Sequence, residues 1–118
     1  MAKNQIAYVE LPTAELAKLK AFYSRIFGWT FVELGEDYAV FQNEGIDGGI
    51  NPNENDRTKA PLVLVETDNI RDMQEDIRGA GATITMPLFE YPGGSRFHFL
   101  DPSGNEMGVF QPNPATAP

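Results

Sequence analysis

The sequence has no cysteine among its 118 residues, so disulfides, thiolate metal sites and cysteine nucleophiles are excluded. It has one histidine, His98, so one subunit cannot supply a metal site that needs two imidazoles. No apolar run approaches the roughly 20 residues that span a bilayer, and no apolar segment typical of a signal peptide follows Met1. We therefore expect a cytoplasmic protein that is not inserted in a membrane.

Positive charge is also scarce. Nine Lys and Arg residues stand against 17 Asp and Glu residues, which gives a formal net charge of −8. Nucleic acids and anionic membrane surfaces select clustered basic residues, so neither is expected as a partner. The acidic surplus is compatible with a cationic ligand, and equally with a charged surface that only keeps the protein in solution.

What the sequence does contain is one pattern, strand-helix-strand-strand-strand, present twice. The two copies cover residues 5–51 and 61–112, with a linker at 52–60 and a disordered tail predicted at 113–118. In the first copy we predict strands at 5–11, 29–34, 38–43 and 44–50, and a helix capped by Thr13 and ended by Gly28. In the second we predict a strand at 61–67, a helix capped by Asp68 or Asn69 and ended by Gly81, a strand at 83–90, and a hairpin.

That final hairpin turns at Asp101-Pro102-Ser103-Gly104, where proline and glycine suit a tight turn. Alternation places Glu106, Gly108 and Phe110 on one face of the strand that follows.

Pro87 predicts that the strand at 83–90 is an edge strand or carries a bulge. The apolar residues of the first helix are interpreted as core: Leu16, Leu19, Phe22, Tyr23, Ile26 and Phe27.

The repeat predicts an α+β fold. Two βαβββ modules form a single domain in which mixed sheets curl into a cup with the helices outside. The bare sheet faces must be covered, within one chain or across a twofold axis, and we expect a homodimer.

Five short pieces carry a resemblance to a known family. They are, in chain order, Val9-Glu10-Leu11-Pro12; Ala21-Phe22-Tyr23 with Phe27-Gly28-Trp29; Gly48-Gly49-Ile50-Asn51-Pro52; Val65-Glu66-Thr67-Asp68-Asn69-Ile70; and Asp101-Pro102-Ser103-Gly104-Asn105. In this order, on a βαβββ repeat, they resemble the vicinal oxygen chelate superfamily, which includes glyoxalase I, extradiol dioxygenases, and bleomycin and fosfomycin resistance proteins.

The resemblance implies a metal site with one ligand from the first and last strand of each module. The positions that correspond are Tyr8, Leu62 and Gly108, together with one residue within 48–50. Leu62 and Gly108 have no donor atom, and a phenol is a poor ligand at neutral pH because its pKa is near 10. We therefore expect no metal and no cofactor, and neither glyoxalase I nor extradiol dioxygenase activity as the family performs them.

Strand alternation from the metal positions predicts the residues that face the cup. The ligand-binding candidates are Tyr8, Glu10, Leu62, Leu64, Arg96, His98, Glu106, Gly108 and Phe110. Each has a structural alternative. Glu10 and Glu66 are also typical of solvated charges at a rim, His98 of a strand histidine beside solvent, and Gly108 of close backbone packing.

Three functions remain open. The first is metal-free binding of a small aromatic or cationic molecule, with Tyr8, Trp29 and Phe110 near acidic residues; it resembles the way bleomycin resistance proteins sequester a cationic drug. The second is a metal-independent lyase, isomerase or hydrolase that uses His98 or a glutamate as acid or base. The third is a non-catalytic dimerisation domain.

Overall fold

The computed structural model describes residues 4–35, 37–42 and 45–114. The chain divides into two compact units, one of which spans Tyr8–Leu62 while the other contains Val63 and the residues after it. The elements are β1 (Gln5–Pro12), α1 (Leu16–Phe27), β2 (Phe31–Glu33), β3 (Ala39–Phe41), β4 (Asp47–Asn51), β5 (Leu62–Glu66), α2 (Ile70–Gly79), β6 (Thr83–Tyr91), β7 (Gly94–Leu100) and β8 (Glu106–Pro112). The expectations for Glu36, Asn43, Glu44 and residues 115–118 lie outside the described residues.

The first module, β1 to β4, is a mixed sheet in the order β2-β3-β4-β1, with β1 parallel to β4 and the other pairs antiparallel. The helix begins later than predicted, at Leu16 after an N-cap at Glu15. Thr13 is not the cap, because its hydroxyl accepts the Glu15 N–H at 2.9 Å in a local turn. Gly28 ends the helix as predicted, with φ of 75° and its N–H bonded to the Ser24 carbonyl.

Helix α1 packs with a narrower apolar face than the sequence predicts. Tyr23 stacks on Trp29, which stacks on Phe41 of β3 with 4.8 Å between ring centroids. Phe22, Ile26 and Phe27 remain 54–60% exposed, so their assignment to the core is wrong. Phe22 and Ile26 lie one turn apart on a stripe beside the one that carries Leu16, Leu19 and Tyr23.

The second module, β5 to β8, has the equivalent order β5-β8-β7-β6, with β5 parallel to β8. Its core lies between α2 and one sheet face. Ile70, Phe97 and Val109 are buried there, and partly buried apolar residues pack against them: Met73, Ile77, Ile84, Leu88 and Phe99. Strand β6 is an edge strand with two register shifts, which confirms the interpretation of Pro87.

The turn between β7 and β8 is organised by Asp101. One carboxylate oxygen accepts the N–H groups of Ser103 and Asn105, and the other accepts the Asn105 amide, all at 2.9 Å. Asn105 above all, through its side chain and backbone, holds the pKa of Asp101 below its usual value. Gly104 has φ of 87°, a conformation that favours glycine. The predicted hairpin is confirmed.

Each module thus has the order βαβββ, and the predicted α+β class is confirmed. Across the described ranges, no helix is long and apolar enough to cross a membrane.

Phe97 is fully buried, so Phe97→Ala leaves a cavity and is expected to lower the free energy of unfolding by about 3–5 kcal/mol. The matched control is Ile46→Ala, at a side chain that is 49% exposed, which is expected to cost about 1 kcal/mol or less. Urea unfolding of both variants measures the difference. Equal losses would contradict the placement of the core between α2 and the sheet.

Candidate functional site

In each module one sheet face is covered by the helix of that module, and we call the other the helix-distal face. In the first module the Trp29–Phe41 stack marks the covered face. Trp29 therefore lies on the opposite face from Tyr8, and the expectation that the two residues are near each other is wrong. Strand register places Tyr8, Glu10 and Gly49 on the helix-distal face.

A chain of hydrogen bonds runs along this helix-distal face. The Tyr8 and Tyr38 hydroxyl oxygens are 2.9 Å apart, and the Tyr38 hydroxyl donates to Glu10 Oε2 at 2.7 Å. The amide of Asn51 donates to Glu10 Oε1 at 3.3 Å and to Asp56 Oδ1 at 2.9 Å. Glu10 is 2% exposed, so its interpretation as a solvated rim charge is wrong.

The buried carboxylate accepts hydrogen bonds from Tyr38 and Asn51, which is the pattern that stabilises an ionised form. Burial and the nearby Glu10 charge raise the pKa of Tyr38 far above its usual range, so Tyr38 keeps its proton at neutral pH. Because that single proton is donated to Glu10, the bond between the phenols is a donation from Tyr8 to Tyr38.

Gly49 makes room for this arrangement. A Cβ at residue 49 would overlap the Tyr38 ring, so only glycine allows Tyr38 to lie across β4 and reach Glu10. Tyr38 and Asn51 were not among the residues predicted from the sequence. The available signal was the pair Gly48-Gly49 in a strand, because such a pair indicates that a large side chain approaches the backbone.

In the second module, Phe97 and Phe99 belong to the core under α2, so Arg96 and His98 lie on the helix-distal face, as predicted. Gly108 pairs with both His98 and Leu64 and shares that face. A Cβ at residue 108 would lie 2.9 Å from Leu64 Cδ2, so the space beside Gly108 is filled. The neighbours of Gly108 are the side chains of Leu64 and His98, and not another backbone as the sequence alternative had it.

His98 is fully buried, and the interpretation of it as a strand histidine beside solvent is wrong. Arg96 Nε donates to His98 Nε2 at 3.2 Å, while His98 Nδ1 lies 3.4 Å from Glu106 Oε2. Glu106 also accepts the Thr85 hydroxyl at 2.9 Å. A ring whose Nε2 accepts from arginine has its lone pair in use, and this geometry does not favour His98 as a general base.

The other candidates have simpler environments. Leu62 and Leu64 are buried, while Glu66, Glu106 and Phe110 are half-buried. Register places Phe110 and Arg96 opposite each other on the helix-distal face, where the Arg96 guanidinium lies 5.9 Å from the Phe89 ring centroid. This face therefore combines aromatic rings with charges of both signs.

Strand register also identifies the fourth position that the family uses for a metal. Gly49 pairs with Glu10 as Gly108 pairs with Leu64, and Gly49 is therefore the first-module counterpart of Gly108. Both last-strand positions lack a donor atom. In the part of the chain that the structure describes, no three His, Asp or Glu side chains are grouped to hold a metal ion. The residues present do not fit the family metal.

The raised pKa of Tyr38 predicts a loss of stability in alkali. Unfolded Tyr38 ionises near a pKa of about 10 whereas folded Tyr38 does not, so above that pH the unfolded state binds fewer protons. The free energy of unfolding should then fall by about 1.4 kcal/mol per pH unit from this residue. Urea unfolding of Tyr38→Phe between about pH 9 and about pH 11 should show a slope shallower by that amount.

The control is Tyr23→Phe, which removes a phenol on the covered face and should keep the wild-type slope. A wild-type slope in Tyr38→Phe would contradict the burial of that hydroxyl beside a charged Glu10.

Comparison with known proteins agrees with this fold. A family model described as the Glyoxalase/Bleomycin resistance protein/Dioxygenase superfamily matches residues 5–109. No curated protein matches the sequence.

Several solved structures share the fold at low identity. An NAD-dependent benzaldehyde dehydrogenase from Legionella pneumophila has a TM-score of 0.74 at 16% identity, covering 90% of this chain and 98% of that chain. A glyoxalase/bleomycin resistance protein/dioxygenase superfamily member from Vibrio splendidus 12B01 has a TM-score of 0.69 at 14% identity, covering 88% of this chain and 96% of that chain. Methylmalonyl-CoA epimerase from Mycobacterium tuberculosis has a TM-score of 0.69 at 15% identity, covering 93% of this chain and 89% of that chain.

The activities named for these proteins differ, and sequence identities this low show a common fold but not a common activity. The family model, in contrast, covers both modules. The chain belongs to the glyoxalase/bleomycin resistance protein/dioxygenase superfamily.

Proposed function

We propose that this protein is a cytoplasmic, metal-independent binding protein for a small aromatic cation, with the helix-distal face of the first module as its binding surface. The observation that carries the proposal is the buried Glu10 carboxylate, connected through Tyr38 to the half-buried ring of Tyr8. A buried negative charge behind an aromatic ring is an arrangement that attracts a cation.

The charge of the whole molecule supports the same ligand class. A net charge of −8 raises the local concentration of cations around the protein and lowers that of anions. The resemblance to bleomycin resistance proteins, which sequester a cationic drug, agrees with this choice as an analogy.

Metal independence is supported by the donor set. Tyr8, Gly49, Leu62 and Gly108 stand where the family's metalloenzymes have ligands, and three of the four have no side-chain donor. Binding through charge and aromatic contact does not require a metal ion.

Aromatic cations should therefore raise the melting temperature, while benzoate at the same concentration should not. A ligand at 100 times its dissociation constant stabilises the folded state by about 2.7 kcal/mol. Differential scanning fluorimetry with benzyltrimethylammonium as the first probe measures the shift, and Tyr8→Leu, which removes the ring, should reduce it.

Two controls separate this binding from other effects. Treatment with EDTA should leave the shift unchanged, because no metal takes part. Tyr23→Leu removes an aromatic ring on the covered face and should keep the shift. If no aromatic cation stabilises the protein, or if EDTA abolishes the shift, the proposed function is wrong.

We also propose a homodimer, supported by the apolar side chains that the first unit exposes. Phe22, Ile26, Val32 and Leu34 are each more than half exposed, and exposed apolar groups of this kind mark association surfaces. Light scattering should give twice the chain mass of 13.1 kDa, and Phe22→Glu with Ile26→Glu should give the single mass. A monomeric wild-type protein would contradict the dimer.

A further inference from the structure

Helix α1 presents a second stripe of side chains to solvent, beside the stripe that packs on its sheet, and we call it the outer stripe. Its members recur at helical spacing and so lie on one side of the helix: Glu15, Lys18, Phe22, Arg25 and Ile26. All five are exposed, and Phe22 and Ile26 are each 54% exposed. Large apolar side chains that share one exposed stripe, with charged residues around them, mark a contact surface.

The βαβββ module does not itself require apolar residues in the outer stripe. Helix α2 has the same place in the second module, and its seventh residue is Asp76 where the seventh residue of α1 is Phe22. Asp76 is exposed, as a charged residue on a solvated helix face ordinarily is. The apolar outer stripe is therefore a property of α1 alone, and it needs an explanation outside the fold of the module.

The charges of the outer stripe stand at its two ends. Glu15 is the N-cap, and Arg25 lies in the last turn, about 15 Å further along the helix. Glu15 Oε2 also lies 3.6 Å from Lys18 Nζ, but an ion pair this exposed contributes little. A stripe with an acid at one end, a base at the other and apolar side chains between them is complementary to a copy of itself turned end for end.

We propose that α1 packs antiparallel against α1 of a second copy, with Glu15 of each copy paired with Arg25 of the other. The inference rests on the homodimer proposed above and assigns its interface. A twofold axis that crosses the helix midway between Glu15 and Arg25 brings the Phe22 rings of both copies close to the centre. Parallel packing would instead place Arg25 beside Arg25 and Glu15 beside Glu15, and like charges at such a contact repel.

The helix dipole is another reason for these two charges, because it favours an acid at the start of a helix and a base in its last turn. Exchange of the charges separates the two explanations. The dipole makes the double variant, Glu15→Arg with Arg25→Glu, the least favourable of the set. Pairing across a twofold axis restores both contacts in that variant.

Sedimentation equilibrium measures the dissociation constant of the dimer. Glu15→Arg and Arg25→Glu alone should each raise it about tenfold, because both attractive pairs become repulsive. The double variant should return to within about threefold of the wild type. An equimolar mixture of the two single variants should form dimers at a concentration where each alone is monomeric, since both contacts of the mixed dimer are attractive.

Net charge alone leads to different expectations. Arg78→Glu, in the last turn of α2, changes the net charge by the same amount as Arg25→Glu and should leave the dissociation constant within about twofold of the wild type. Glu15→Arg makes the net charge of −8 less negative, which by itself lowers the repulsion between copies. Weaker association of this variant is therefore specific to the proposed pairing.

Two results would overturn the inference and leave the homodimer standing. Tighter association of Glu15→Arg would mean that α1 docks on an acidic surface of the second copy. A double variant that associates more weakly than either single variant would leave the helix dipole as the reason for the two charges. If the wild-type protein is monomeric, the proposed homodimer fails together with the inference, and the proposed ligand binding is tested separately.

Discussion

The burial of the Glu10 carboxylate constrains the whole first module. A charge removed from water is costly unless its oxygens are hydrogen-bonded, and here Tyr38 and Asn51 provide the donors. Each donor depends in turn on a local feature of the backbone. Tyr38 needs the space that Gly49 leaves, and Asn51 is the last residue of β4, where its amide also reaches Asp56. Removal of one partner would leave a buried group unsatisfied, a change that costs more than the bond itself contributes.

At the equivalent register position, the second module has apolar packing and no buried carboxylate. Leu64 occupies the register position that Glu10 has in the first module, and its side chain fills the space beside Gly108. Charged side chains of this module lie beside His98 instead, where Arg96 contacts Nε2 of the ring and Glu106 lies near Nδ1. The two copies of one βαβββ pattern therefore share register and topology but not chemistry, which is why the repeat predicts the fold and says little about the ligand.

The sequence predicts the fold well because its signals are local. Gly28 and the Asp101 turn fix where elements end, and period-two alternation correctly separates Phe97 and Phe99 from Arg96 and His98. The errors come from contacts between residues far apart in sequence. Glu10 lies near the end of a strand and has the pattern of a solvated charge, and its burial follows from Tyr38, a residue 28 positions away. Helical spacing likewise identifies an apolar stripe on α1 but not how much of it the sheet covers.

Gly49 and Gly108 stand at positions where the family's metalloenzymes have ligands, and they also determine which side chains can pack on the two helix-distal faces. A strand glycine removes a donor atom and opens space beside the backbone, and in each module a large side chain occupies that space. A carboxylate at residue 108 would meet Leu64 at 2.9 Å from its own Cβ, and one at residue 49 would displace the phenol that donates to Glu10. A single substitution therefore cannot restore a metal ligand without repacking its face. The polar groups beside Gly49 are Glu10, Tyr8 and Tyr38, a single carboxylate with two phenols, and this set lacks the imidazole and further carboxylate donors that a divalent ion needs.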